Sequence, residues 1–234
     1  MIIVTFSGLD GCGKSTCVKT TVRYLRERGL HVRELVTLFT SAAGLSTIIR
    51  EHICKARPKI SVSQVTSVTG HRIRALPGNR TFANDCERPI VYVKRLVTYT
   101  IDCLILTSWL TVQKAMGVDA VVCDRYVYDK MVNLPSPIGI YSRFLSRLVP
   151  RPQLPIFLDV PPLVCRGRRE EHPPDYYETK YDAYKKVVMQ FALLSVVNKD
   201  RQETSREIER LVSAIIDFHV TPGRSNHLYQ HEPK

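Results

Sequence analysis

The sequence predicts an α/β fold: a parallel five-stranded sheet with helices on both faces. Three observations carry that expectation. A β-branched run at residues 2–6 leads straight into the glycine-rich stretch 8–16, GLDGCGKST, and then into helical sequence. Further short apolar runs, at 31–36, 120–123, 154–160 and 195–197, alternate with longer helical stretches. Gly8, Asp124 and Asp159 stand at the carboxyl ends of such runs. Alternating strands and helices fold as parallel strands joined by crossover helices. Sheets of this kind bind ligands beyond the carboxyl ends of their strands, so Gly8, Asp124 and Asp159 are expected to converge on one crevice.

Taken in order, residues 2–6 read as a buried parallel strand because the run is apolar on both faces. Residues 14–28 read as a helix stopped by Gly29. Residues 31–36 form a second strand, and 41–57 look helical, with Ile48, Ile49 and Ile53 on one side. Residues 58–88 are polar and broken by Pro58, Pro77 and Gly78, which predicts loops and a helix fragment. A long helix is expected at 90–116, ended by Gly117. The strand at 120–123 delivers Asp124-Arg125-Tyr126, and 127–149 is a helical or looped excursion broken by Pro135 and Pro137. The strand at 154–160 stops at Pro161-Pro162. Residues 163–195 are helical with a break at His172-Pro173-Pro174, and 195–197 is a short last strand. Thr204-Ser205-Arg206-Glu207 has the spacing of a capping box and is expected to open the final helix, to about His219. Its apolar positions Ile208, Leu211, Val212, Ile215 and Ile216 keep helical period. One domain over 1–220 with a polar tail at 221–234 accounts for the whole chain.

Composition narrows the function classes. The 234 residues carry 34 Lys and Arg against 22 Asp and Glu, a net charge of +12. That excess suits either a nucleic-acid surface or phosphorylated small molecules. The basic residues are spread along the chain and show no interleaving with aromatics of the kind that stacks bases, so small molecules are the expected partners and nucleic acid is not. The seven cysteines are odd in number and form no C-x-x-C pair, which argues against a zinc site and a secreted disulfide scaffold. Buried thiols in a reducing cytoplasm are expected. The N-terminus has no signal-peptide pattern. The longest apolar stretch, 101–112, is too short to span a bilayer and reads as a buried helix, so no membrane partner is expected.

Residues 8–16 fit G-x-x-x-x-G-K-[ST], a loop whose backbone N–H groups cradle phosphates. Gly8, Gly11 and Gly13 let the backbone turn inward, with Asp10, Cys12 and Thr16 completing the cradle. Lys14 brings a compact charge to the β- and γ-phosphates, and Ser15 a hydroxyl to the Mg²⁺ that bridges them. The helix starting at Lys14 directs its positive end to the same place. A GTPase would carry D-x-x-G after a later strand and N-K-x-D for guanine. This chain has Asp124-Arg125-Tyr126 and Asn198-Lys199-Asp200-Arg201, which match neither.

Together, G-x-D-G-x-G-K-S-T at 8–16, D-R-Y at 124–126 and L-D-V-P-P at 158–162 resemble the thymidylate kinase family of nucleoside monophosphate kinases, which have the P-loop NTPase fold. The resemblance covers about residues 1–35 and 118–218. It implies ATP and Mg²⁺ as co-substrate and cofactor, with Asp124 beside Ser15 holding the metal. It places Asp10 near the acceptor and Arg125 on the acceptor phosphate. It also implies an arginine-bearing lid at about 163–180. The family needs a mobile arginine near the transferring group, in the phosphate loop or in the lid. The loop position after Asp10 is Gly11, so Arg166, Arg168 and Arg169 are the candidates. Asn198, after the last strand, is the candidate adenine contact. Family members are often dimers through helix faces, and the helix at 90–116 is apolar enough to serve.

The chain also departs from the family. The lid D-R-x-E is replaced by Asp175-Tyr176-Tyr177-Glu178. The base-reading arginine of the middle helix has no counterpart among Tyr92, Lys94, Arg95, Tyr99, Asp102 and Trp109, although Arg72 and Arg74 could substitute. The Ser and A-Y-Q that follow D-R-Y are replaced by V-Y-D-K-M-V-N-L. The leading expectation is phosphoryl transfer from MgATP to a nucleoside monophosphate, with dTMP first. The alternative is a kinase acting on a hydroxyl, which needs a carboxylate base such as Asp10, Glu34 or Asp102.

Overall fold

The computed structural model describes residues 1–36, 89–169, 172–198 and 200–220. The readings that fall on 37–88, Glu170, Glu171, Lys199 and the tail at 221–234 lie outside the described residues. These include the helix at 41–57, Arg72 and Arg74. The described elements are β1 (Ile2–Ser7), α1 (Lys14–Glu27), β2 (Val32–Val36), α2 (Pro89–Ala115), β3 (Ala120–Asp124), α3 (Val127–Met131) and α4 (Ile140–Leu148), followed by β4 (Leu154–Asp159), α5 (Pro162–Arg168), α6 (Pro174–Phe191), β5 (Leu194–Val197) and α7 (Arg201–Val220).

All five strands are parallel, in the order β2-β3-β1-β4-β5. Every residue of β1 and β3 is buried, as expected of central strands covered on both faces. The chain fills one side of β1 with β2 and β3, then crosses to the other side with β4 and β5. The carboxyl end of β1 therefore lies where the strand order reverses, the place such sheets use for ligands. Register puts Phe6 opposite Asp124 and Ser7 opposite Phe157, so the segments after β1, β3 and β4 emerge side by side.

Helix periodicity fixes what packs on the sheet. The α1 positions Cys17, Val18, Thr21, Val22 and Leu25 form one buried stripe, and α1 lies against β3 and α7. Ile208, Val212 and Ile216 of α7 bury with the same spacing. On α2 the residues Cys103, Leu106, Trp109 and Leu110 face the core. By length and composition α2 could cross a membrane, being longer than the apolar stretch at 101–112 suggests. Its inner face belongs to the same hydrophobic cluster as β1 and β3.

The helix expected through 195 ends at Phe191, and β5 begins at Leu194; one further boundary shifts by a full turn. The last helix starts at Arg201, a turn before the expected capping box. Asp200 is the cap: its carboxylate accepts the backbone N–H groups of Gln202 (2.9 Å) and Glu203 (3.1 Å). Thr204 lies inside the helix, where its hydroxyl bonds back to the Asp200 carbonyl at 2.6 Å.

Candidate active site

The phosphate loop runs from the end of β1 to the start of α1. Gly13 caps α1 with φ 97°, a left-handed conformation that glycine adopts without strain. The Lys14 ammonium is enclosed by the loop that precedes it. It donates to the carbonyls of Gly8 (2.8 Å) and Leu9 (2.7 Å) and lies 4.0 Å from the Asp10 carboxylate. The Ser15 hydroxyl donates to the buried carboxylate of Asp124 at 2.6 Å. A hydroxyl and a carboxylate on neighbouring elements are hard oxygen donors. They suit Mg²⁺, which keeps several waters and binds one or two carboxylates plus substrate phosphates. Among the described residues no group of three His, Cys, Asp or Glu forms a self-contained metal cage.

Asn198, at the end of β5, reaches the loop from the opposite side. Its amide nitrogen donates to the Cys12 carbonyl at 2.8 Å, and its amide oxygen accepts from the Thr204 hydroxyl at 3.1 Å. It borders a cavity of about 210 Å³ together with Thr16, Thr20, Arg168, Arg201 and Ile208. The cavity opens beside Gly13, at the mouth of the loop.

Helix α5 packs directly on the loop. A Cβ at Gly11 (φ 88°) would come within 2.5 Å of the Cys165 carbonyl oxygen and 3.4 Å of the Arg169 Cβ. This close approach needs glycine at position 11. It also brings two of the three candidate arginines to the site: Arg168 borders the cavity, and Arg169 acts electrostatically on Asp10. Arg166 is half-buried on the same helix. The Tyr177 hydroxyl of α6 donates to the Arg169 carbonyl, joining α6 to the end of α5.

On the far side of Lys14 stands Arg125. Its backbone is left-handed (φ 73°), and its N–H donates to the Phe6 carbonyl at 2.9 Å. Its guanidinium pairs with Asp10 and lies 3.9 Å from Asp129. Burial alone would raise the Asp10 pKa, but Arg125 and Lys14 outweigh it and hold the carboxyl below its ordinary value. Burial likewise opposes the charge of Arg125, and Asp129, Tyr184 and Asp10 reverse the effect and raise its pKa.

Asp129 organises this half of the site. Its carboxylate accepts the Ser7 hydroxyl (2.7 Å), the Tyr184 hydroxyl (2.7 Å) and the Tyr126 N–H (3.0 Å). It thereby ties β1, α6 and the start of α3 together around Arg125. The sequence reading missed this role. The available signal was V-Y-D-K-M-V-N-L, in which Asp129 falls in the first turn of the short helix α3 that follows D-R-Y.

Three other sequence candidates lie elsewhere or are already paired. The Asp159 carboxylate does not turn into the crevice; it accepts the Tyr181 hydroxyl (2.7 Å) and the Lys185 ammonium (2.6 Å), fastening β4 to α6. Asp102 is buried in an ion pair with Lys130. Glu34 lies beside the second half of α1, with Lys19, Arg23 and Arg26.

No family model matches the chain. A thymidylate kinase of Symbiobacterium thermophilum is 25% identical over 233 residues, spanning 92% of this chain and 94% of that protein. The crystal structure of thymidylate kinase from Ehrlichia chaffeensis matches this fold with a TM-score of 0.54. That match covers 90% of this chain and 98% of the other at 15% identity, and it carries the fold alone. The chain is thus similar in sequence to a thymidylate kinase over nearly its whole length, and its five-stranded parallel sheet shares the fold of another.

Proposed function

We propose that the chain transfers the γ-phosphoryl group of ATP to a nucleoside monophosphate, with dTMP the best-supported acceptor. The observation that carries this reading is Arg125, paired with Asp10 and Asp129, where Asp10 also lies 4.0 Å from the ammonium of Lys14. A cation there meets an anionic acceptor on the side of the loop opposite the cavity bordered by Asn198 and Arg168. The triphosphate lies along the loop amides and Lys14, and the donor base enters that cavity. Ser15 and Asp124 would hold Mg²⁺, which when bound neutralises phosphate charge.

An acceptor phosphate has a second pKa of about 6 and is a dianion near neutral pH, so no general base is required. The residues supply alignment and charge neutralisation instead. Lys14 grips the donor tail, Arg125 orients the acceptor, and Arg168 and Arg169 balance the charge that develops in transfer. Closure of α5 and the first turns of α6 removes water. Phosphorylation of a hydroxyl needs a free carboxylate base, and the candidates suit that poorly: Asp10 is held ionised by two cations, and Asp102 is paired with Lys130. The outward row Val93, Val97, Ile101 and Leu104 on α2 offers an apolar face to a second copy, and light scattering at monomer mass would remove that reading. The described cysteines are free and buried, in keeping with a reducing cytoplasmic setting.

The test is a coupled ADP-release assay over dTMP, dUMP, dCMP, AMP and thymidine, with Lys14→Ala as the inactive control. Turnover should be greatest with dTMP. Turnover of thymidine but not dTMP would overturn the reading, and full activity in Lys14→Ala would remove the loop from catalysis.

A further inference from the structure

Asn198 follows β5 and joins segments that are far apart in sequence. Its main-chain N–H meets the carbonyl of Asp159, at the end of β4, at 3.4 Å. Its side-chain Nδ2 donates to the Cys12 carbonyl of the phosphate loop at 2.8 Å. Its Oδ1 lies 3.1 Å from the Thr204 hydroxyl, which also reaches the Asp200 carbonyl at 2.6 Å at the start of α7. These partners fix the orientation of the amide. A main-chain carbonyl only accepts, so the amide nitrogen must face Cys12 and the oxygen must face Thr204. Thr204 is buried, which keeps water from competing for its hydroxyl.

The Cys12 carbonyl belongs to the same peptide as the Gly13 N–H. A trans peptide is planar, and its C=O and N–H point in opposite directions. Held at its oxygen by Asn198, this peptide turns the Gly13 N–H away from the start of α7. Nothing else in the local chain resists its rotation, because Gly13, at φ 97°, has no side chain. A side chain could not be added there: a Cβ on Gly13 would stand 2.8 Å from Asn198 Nδ2. The close approach of the amide removes steric control of the peptide, and the hydrogen bond replaces it.

We propose that Asn198 is a positioning residue for the phosphate loop. Its amide holds the Cys12–Gly13 peptide with the Gly13 N–H turned toward the bound phosphates, and Thr204 holds the amide. The proposal rests on the kinase reading above in taking the guest of the loop to be the donor triphosphate. Asn198 borders the cavity beside Gly13, yet its effect on the donor runs through the backbone of the loop and not through the base.

The experiment is calorimetric titration of the full chain, with Mg²⁺ present, against ATP and against inorganic tripolyphosphate, which has the phosphates and no base. Asn198→Ala should weaken both ligands by a similar factor, roughly threefold to thirtyfold, for the loss of one hydrogen bond that holds a peptide. Thr204→Val leaves Asn198 in place and removes the hydroxyl behind its oxygen. It should weaken both ligands in the same ratio, by less. Thr204→Ser keeps the hydroxyl and should bind both as the wild type does. Circular dichroism and a thermal melt establish that each variant is folded at the titration temperature. Asn198 is only half-buried, so its truncation opens no large cavity in the core. Unchanged tripolyphosphate affinity in Asn198→Ala overturns the proposal, and a loss confined to ATP would make Asn198 a contact of the base instead. Tripolyphosphate binding that depends on Asn198, in a chain that phosphorylates no nucleoside monophosphate, keeps the positioning role and overturns the kinase reading. A wild type that binds neither ligand overturns both.

Discussion

Replacing Gly11 with alanine tests whether α5 sits on the phosphate loop in the working enzyme. The new Cβ would approach the Cys165 carbonyl oxygen to 2.5 Å, whereas real Cβ contacts stay beyond 3.0 Å. That oxygen belongs to the helix backbone, so α5 must retreat by about half an ångström with Arg168 and Arg169 attached. A misplacement of about 1 Å can cost on the order of 10²-fold in rate, so a loss of roughly tenfold in kcat is expected. The left-handed φ of 88° adds about 1–2 kcal/mol of backbone strain. In a domain of this size that lowers Tm by roughly 2–8 °C. Gly29→Ala is the matched control, with φ 78° and nothing within 4 Å of its Cβ. It should lose similar stability and keep its kcat. The coupled ADP-release assay and a thermal melt read both quantities. If Gly11→Ala retains kcat within about twofold of wild type, α5 does not pack on the loop during turnover.

Other outcomes follow from the same geometry. Arg168→Ala combined with Arg169→Ala should lower kcat by a factor on the order of 10³ while ATP affinity falls far less. An unchanged kcat would move the essential arginine off α5. Asp129→Asn places an amide N–H₂ against the hydroxyls and N–H that now donate to a carboxylate, and should cost about 2 kcal/mol in urea unfolding. An unaltered midpoint would contradict its organising role. Burial pushes the thiols of Cys17, Cys103 and Cys123 each up to about 12 from an ordinary 9.0. The native chain then holds protons that the unfolded chain releases, so stability should decline as pH rises past about 9 and through about 12. Lys180, between about 8 and 10.5, and Lys130 act in the opposite sense, as two groups against these three thiols and the likewise raised Cys12 and Cys165. A urea midpoint that does not fall between about pH 8 and pH 10 would refute the thiol argument.

The geometry around the phosphate loop was legible because it is local. Residues 2–16 encode strand, turn and helix in one continuous segment, and Asp124 meets Ser15 simply because β3 lies beside β1. The surroundings of Arg125 were not, because the partners there are remote in sequence. Asp129 acts through Ser7 and Tyr184, 122 and 55 residues away, which no local pattern announces. Asp159 looked like a site residue from its place at a strand end. Only the approach of α6 reveals that its carboxylate belongs to Tyr181 and Lys185. The misplaced capping box has a simpler cause. Asp200-Arg201-Gln202-Glu203 satisfies the same spacing one turn earlier, and the earlier candidate wins because its carboxylate faces two open N–H groups.

The tether between Lys14 and the carbonyls of Gly8 and Leu9 bears on the thermodynamics of nucleotide capture. A cradle that already satisfies its own lysine has little slack to remove when a guest arrives. Capture becomes a swap of oxygen partners around one nitrogen, and the entropic penalty of tightening a loose segment is largely avoided. Calorimetry on the triphosphate tail should accordingly register a modest change in heat capacity, far from the large one that accompanies folding upon association.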